Sequence, residues 1–187
     1  MMAEGMPRPE VRQDRAARVW TIANLLSASR IPLAFLFVAF EAPGIRLAVL
    51  AGAALSDLLD GWTARRFGSS SLGAKVDPIA DKIFSLSAFS VLTLSGALTP
   101  FEVLGVLLRD ILTPVGYLAS VVARRPFTTP ARAGGKAVTV GQALTLAAWL
   151  LESPLLRPLA WATAAMALYA LADYGRLAVQ HAQQPPE

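Results

Sequence analysis

Asp57, Asp60, Asp77 and Asp81 lie in the stretch SDLLDGWTARRFGSSSLGAKVDPIADK, inside or beside otherwise apolar segments. A carboxylate at membrane depth is costly unless something compensates it, so such residues are functional candidates by default. Asp57 and Asp60 are three apart and Asp77 and Asp81 four apart, so each pair shares a face if its segment is helical. Two antiparallel helices joined by a short loop would bring all four carboxylates to one small volume, where like charges repel. Divalent cations remove that penalty, and hard carboxylate oxygens suit Mg²⁺ or Mn²⁺. Two such ions about 3.5–4 Å apart form a clamp for phosphoryl transfer.

Small residues surround the acids. Gly61 and Ala64 follow Asp60, and Gly73 precedes Asp77. Small side chains let a flat ligand approach the backbone closely. Arg65 can neutralise a phosphate or pair with one of the acids. The combination suits a nucleotide diphosphate lying across the metal ions. Arg30, Arg109 and Lys136 are cations in or at the edge of apolar segments, and cations there need an anionic partner. A phosphate on an acceptor molecule would supply it. For Arg30 and Arg109 a helix-packing role beside Asn24 or Asp110 remains open.

These residues need apolar helices to hold them. The chain has 187 residues, 55% of them hydrophobic, with a mean hydropathy of +0.50. That is one domain by length. Its long apolar runs are more than a soluble domain of this size sustains. There is no cysteine, which excludes disulfides and thiolate metal sites. The net charge of +4 would raise nucleic-acid binding in a soluble protein. Here the basic residues gather at the ends of apolar segments, which fits anionic headgroups and excludes a nucleic-acid partner.

The pattern predicts an all-α fold: an integral membrane bundle of six transmembrane helices, preceded by an amphipathic surface helix over 7–20. The spans are expected over 21–40, 45–66, 73–98, 101–123, 136–151 and 156–179, since about 20 apolar residues cross a bilayer. The expected organisation is a cytoplasmic tail with the surface helix (1–19), the bundle (20–180) and a disordered polar tail (181–187) that carries the lone His181. No cleavable signal peptide is expected, because the first apolar run follows a charged tail and is long enough to span.

Six spans put both termini on one side. That side would hold Arg8, Arg12, Arg15, Arg18, Arg65, Arg66, Lys75, Arg124, Arg125, Arg132 and Lys136; the other would hold Arg46 and Arg157. The bias predicts a cytoplasmic (inner) membrane protein with both termini and the acidic cluster on the cytoplasmic side.

The run Asp57-Leu-Leu-Asp60-Gly61-Trp-Thr-Ala64-Arg65, then Gly73-Ala-Lys-Val-Asp77-Pro-Ile-Ala-Asp81, resembles the CDP-alcohol phosphatidyltransferase signature DxxDGxxARx8GxxxDxxxD. Seven residues rather than eight separate Arg65 from Gly73, and the missing one falls between the helices. Asn24-Leu-Leu-Ser-Ala-Ser-Arg30-Ile-Pro32, Asp77-Pro78-Ile-Ala-Asp81-Lys82, Arg109-Asp110 and Gly135-Lys136-Ala-Val-Thr139-Val-Gly-Gln142 are similar to segments of the phosphatidylglycerophosphate synthases within that family.

The resemblance implies that Asp57, Asp60, Asp77 and Asp81 hold two divalent cations. It implies that Asp81 is also the general base, and that Asp60, Gly61, Ala64, Arg65 and Gly73 line the CDP site. It further implies a six-helix homodimer with a polar cavity open to the cytoplasm. The expected reaction moves the phosphatidyl group of CDP-diacylglycerol to a small phosphorylated alcohol, glycerol 3-phosphate in first place, releasing CMP. A cardiolipin synthase that uses phosphatidylglycerol is the alternative.

Blander readings exist for the same residues. The acids could serve a cation path in a transporter without catalysis, or pair with Arg65, Arg66, Lys75 and Lys82; neither accounts for the glycines at fixed spacing. Lys82 contacts a phosphate or snorkels. Glu152 and Asp173 read as helix-end residues. Trp149, Trp161, Tyr169 and Tyr174 read as membrane-interface or packing residues. Ala160, Thr163, Ala164 and Ala167 would let helices approach closely or support a dimer.

Overall fold

Apolar runs broken by Pro, Gly and Ser favour helices joined by short turns. The computed structural model describes residue 26 and residues 28–67, 73–122 and 133–183, with side chains for 26, 28–59, 79–122 and 134–177. All regular structure among the described residues is helical: α1 (Ala28–Ala39), α2 (Pro43–Phe67), α3 (Gly73–Leu94), α4 (Pro100–Val122), α5 (Ala133–Leu150) and α6 (Leu156–Gln183). The expected surface helix over 7–20 lies outside the described residues.

Several boundaries differ from the sequence expectation. The third helix ends at Leu94 rather than near Leu98, because Gly96 adopts φ 75° and the Ser95 and Gly96 amides close the last turn on Val91 and Thr93. The fifth begins at Ala133, so Gly134 and Gly135 are helical. Asp173 is no helix end: α6 continues to Gln183, into the segment expected to be a polar tail. Glu152, by contrast, does terminate α5. It takes a left-handed φ of 51° while its amide bonds to Trp149 and the Ser153 amide reaches back to Ala148. These are the two hydrogen bonds of a Schellman cap, formed here without glycine.

The chain divides within α3 into two compact units, Met1–Ala88 and Phe89–Glu187. In the first, α1 is tied at both ends. The Ser56 hydroxyl of α2 donates to the Leu26 carbonyl at 2.9 Å. Arg46, one turn into α2, donates through Nε to the Phe37 carbonyl at 3.0 Å, and its guanidinium lies 5.7 Å from the centre of the Phe37 ring. Phe37 is fully buried and meets Phe84 of α3 edge-on, with centroids 5.8 Å apart. Val49, Leu50, Ala53 and Ser56 form the buried stripe of α2, at helical period.

In the second unit α6 packs against both α4 and α5. Small residues allow the approach. A Cβ on Gly105 would come 3.1 Å from the Ala164 Cβ, and one on Gly141 would lie 2.5 Å from Thr163 Oγ1. Ala160, Thr163, Ala164 and Ala167 are buried within the unit. The buried Thr145 and Thr163 hydroxyls donate to the Gly141 and Leu159 carbonyls of their own helices, so burial leaves neither unsatisfied. Thr99 caps α4: Glu102 accepts from the Thr99 amide at 2.8 Å, and the Glu102 amide donates to Thr99 Oγ1 at 3.3 Å. This reciprocal box is followed by Pro100 at the first helical position. Phe101 and Trp161, 6.3 Å apart, pack beside it, and Arg157 lies 3.9 Å from Glu102.

Among the described residues, α4 is the helix whose length and hydropathy alone suffice to cross a membrane, and α1 is a shorter apolar helix. The others are interrupted by polar and charged residues: acids and arginines on α2, acids and lysines on α3, and Lys136, Gln142, Thr145 and Thr163 on α5 and α6.

Candidate active site

Asp57, Asp60, Gly61, Ala64 and Arg65 lie on α2, and Gly73, Asp77 and Asp81 on α3. Unbroken helical backbone sets Asp57 and Asp60, and likewise Asp77 and Asp81, one turn apart. The side chains of residues 60–78 lie outside the described ones, so the expected contacts of Asp60, Gly61, Ala64, Arg65, Gly73 and Asp77 do too. Of the four acids, Asp57 and Asp81 have described side chains. Asp81 is half-buried, next to fully buried Ala80. Asp57 keeps 58% of its side chain exposed and meets Arg30 of α1, Nη2 to Oδ1, at 3.0 Å. The Arg30 side chain is 3% exposed.

Among the described residues, no three His, Cys, Asp or Glu side chains group closely enough to hold a metal ion. The donor set nevertheless fits a hard divalent cation. It is all carboxylate, and Asp57 is exposed enough to accept a ligand while one of its oxygens is held.

A second polar group occupies the other unit. The sequence singled out Arg109-Asp110 on α4 and Gly135-Lys136…Thr139…Gln142 on α5; the fold bonds the two segments together. Arg109 donates from Nη1 to the Gly135 carbonyl, which also accepts from Thr139 Oγ1 at 3.3 Å. Gln142 donates through Nε2 to Asp110 Oδ2 at 2.7 Å and to the Val106 carbonyl at 3.1 Å. Arg109 Nη2 lies 3.8 Å from Asp110 Oδ1. Gly135 and Gln142, two turns apart, are thus the α5 residues bonded to α4, while exposed Thr139 bonds within its own helix. Lys136, next to Gly135, is exposed. Arg109 thus reaches the backbone at the start of α5 one residue before Lys136, while Arg30 pairs with Asp57.

Tyr174 joins this group, a place the sequence reading did not give it. A Cβ on Gly135 would come 2.7 Å from the Tyr174 hydroxyl and 3.6 Å from Arg109 Cζ. The absence of a side chain at residue 135 is what lets a phenol and a guanidinium meet over the same backbone. The signal available in sequence was a glycine at a helix start, which does not identify the distant residue occupying its space.

The family profile described as CDP-alcohol phosphatidyltransferase matches residues 20–172. The chain belongs to the CDP-alcohol phosphatidyltransferase family. A Streptomyces coelicolor protein named "Cardiolipin synthase (CMP-forming)" is 40% identical over 129 residues, 61% of this chain and 60% of that one. A Mycobacterium tuberculosis protein named "Probable phosphatidylglycerophosphate synthase" is 34% identical over 163 residues, 81% of this chain and 76% of that one. The human protein named "Cardiolipin synthase (CMP-forming)" is 49% identical over 70 residues, 34% of this chain and 23% of that one. The chain spans about 61% of the length of the bacterial cardiolipin synthases it matches.

Proposed function

We propose that this chain is a membrane phosphatidyltransferase that moves the phosphatidyl group of CDP-diacylglycerol to an alcohol, releasing CMP. The acceptor is glycerol 3-phosphate and the product phosphatidylglycerophosphate. The observation that carries this reading is the signature itself: acids one turn apart on each of two consecutive helices, with Gly61, Ala64, Arg65 and Gly73 between them, in a chain of this family.

Asp57, Asp60, Asp77 and Asp81 would hold two Mg²⁺ or Mn²⁺ ions. When bound, these ions neutralise charge on the pyrophosphate and on the leaving phosphate. Gly61, Ala64 and Gly73 leave room for the cytidine against the backbone, Asp60 lines the same site, and Arg65 pairs with a phosphate oxygen. Arg109 and Lys136 offer two cations to the acceptor phosphate at the start of α5. Asp81 takes the proton from the acceptor hydroxyl as its oxygen bonds to the lipid-side phosphorus and the bond to CMP breaks.

The chain acts as six spans in the cytoplasmic membrane, with both termini and the site on the cytoplasmic side, and as a homodimer surrounded by lipid. The bundle covers 20–180, with the segments 1–19 and 181–187 flanking it. Exposed large apolar side chains support the membrane reading: Phe35, Leu58, Leu94, Leu118 and Val122 are each more than 60% exposed, a surface water does not tolerate in quantity.

A second acceptor, phosphatidylglycerol, is favoured by the 40% identity to the Streptomyces cardiolipin synthase. The test is an acceptor screen. Membranes carrying the protein receive CDP-diacylglycerol, Mn²⁺ and either labelled glycerol 3-phosphate or labelled phosphatidylglycerol, and CMP release is measured. Release with glycerol 3-phosphate is expected. Release with phosphatidylglycerol alone assigns the second reading, and no release with any alcohol ends both.

A further inference from the structure

The Arg30 guanidinium is buried on α1, yet the acid it meets is mostly exposed. A buried charge is expensive unless paired and hydrogen-bonded, so the position of Arg30 is set by its burial and that of the Asp57 carboxylate by Arg30. The helix carrying Arg30 is secured at both ends. Ser56, adjacent to Asp57, bonds to the Leu26 carbonyl, and Arg46 bonds to the Phe37 carbonyl. α1 therefore has little freedom to slide along α2, and the guanidinium arrives at one register. Its Nη2 reaches Oδ1 of Asp57 at 3.0 Å. A carboxylate has two oxygens, and a planar guanidinium on one of them orients the other.

We infer that Arg30 is a positioning residue for the metal site: it clamps Oδ1 of Asp57 from α1 and so presents the remaining oxygen of that carboxylate to a divalent cation. This deepens the proposed function and rests on its assignment of Asp57 as a ligand. It gives Arg30 a task other than contact with an acceptor phosphate. Hydrogen-bond partners of ligating carboxylates typically matter 10- to 100-fold to metal affinity, which sets the expected effect.

The test uses the full chain in detergent, with Mn²⁺ as the probe. Arg30→Gln should weaken Mn²⁺ binding, followed by electron paramagnetic resonance without acceptor, by about 10- to 100-fold. Arg30→Lys keeps the charge but loses the fork, and should recover part of the affinity. In an Asp57→Asn background Arg30→Gln should add little, because the group it acts through is gone. At saturating Mn²⁺ the acceptor KM should stay that of the wild type. The coupling should also appear without metal, as non-additive melting temperatures of the two single variants and the double variant in EDTA.

Unchanged Mn²⁺ affinity in Arg30→Gln overturns the proposal, as does a raised acceptor KM with metal affinity intact. If Arg30→Gln does not fold, Arg30→Lys decides on the same criterion. A wild type that binds Mn²⁺ but releases no CMP with any acceptor sinks the transferase reading while the Arg30–Asp57 coupling still stands or falls by itself.

Discussion

Asp81 is the acid proposed as the general base. It is half-buried on α3 one turn beyond Asp77, and Ala80 beside it is fully buried, which fixes the helix face on which it sits. As general base it works through its carboxylate, so Asp81→Asn keeps the size and removes the function. Turnover should fall by about 10²- to 10⁴-fold, the usual worth of general base catalysis. CDP-lipid binding should persist in part, because Asp57, Asp60 and Asp77 are untouched. CMP release and binding of the CDP-lipid measured on one preparation check both halves, and near-normal turnover would remove Asp81 as the base.

Helix contact in the second unit depends on missing side chains. α6 lies so close to α5 that a Cβ on Gly141 would sit 2.5 Å from Thr163 Oγ1 and 3.1 Å from its Cγ2. Thr163 is fully buried and bonded to Leu159, so it has no room to move aside. Gly141→Ala should therefore destabilise by about 1–3 kcal/mol, the usual cost of overpacking. Gly141→Ala with Thr163→Ala should recover most of that loss, since the two nearest atoms are removed and the third, Met166 Cε at 3.2 Å, ends a flexible side chain. Thermal unfolding of the single and double variants measures it, and equal loss in both would place the strain elsewhere. The polar tie between α4 and α5 has the opposite character. Gln142 satisfies Asp110 and the Val106 carbonyl together, and Arg109 closes on Gly135, so two helices are held in one register by side chains that include Arg109, one of the proposed acceptor cations.

The proposed arrangement in the bilayer is testable because the chain contains no cysteine. Leu155, 57% exposed in the turn before α6, is expected outside the cytoplasm, and His181, near the end of α6, inside. A cysteine at Leu155 should react with a membrane-impermeant maleimide in intact cells, while one at His181 should react after permeabilisation alone. The reverse pattern would invert the topology and move the acids to the far side of the membrane.

Much of this protein can be read along the chain. The apolar runs marked out α2 to α6 to within a few residues, and the three- and four-residue intervals of the aspartates set them on helix faces, because helical periodicity is local. Helix ends were harder to read. The cap at Glu152 and the turn at Gly96 are single-residue φ choices that hydropathy does not encode. Partnerships across helices were not legible. Arg30 could be seen to need an anion, but Asp57 lies 27 positions away, and only the packing of α1 on α2 brings the two together. Gln142 meets Asp110 across 32 positions and Tyr174 meets Gly135 for the same kind of reason. A residue's interval along its own helix is a property of that helix, whereas the rotation and register of two helices come from the sum of all their contacts, which no short motif contains.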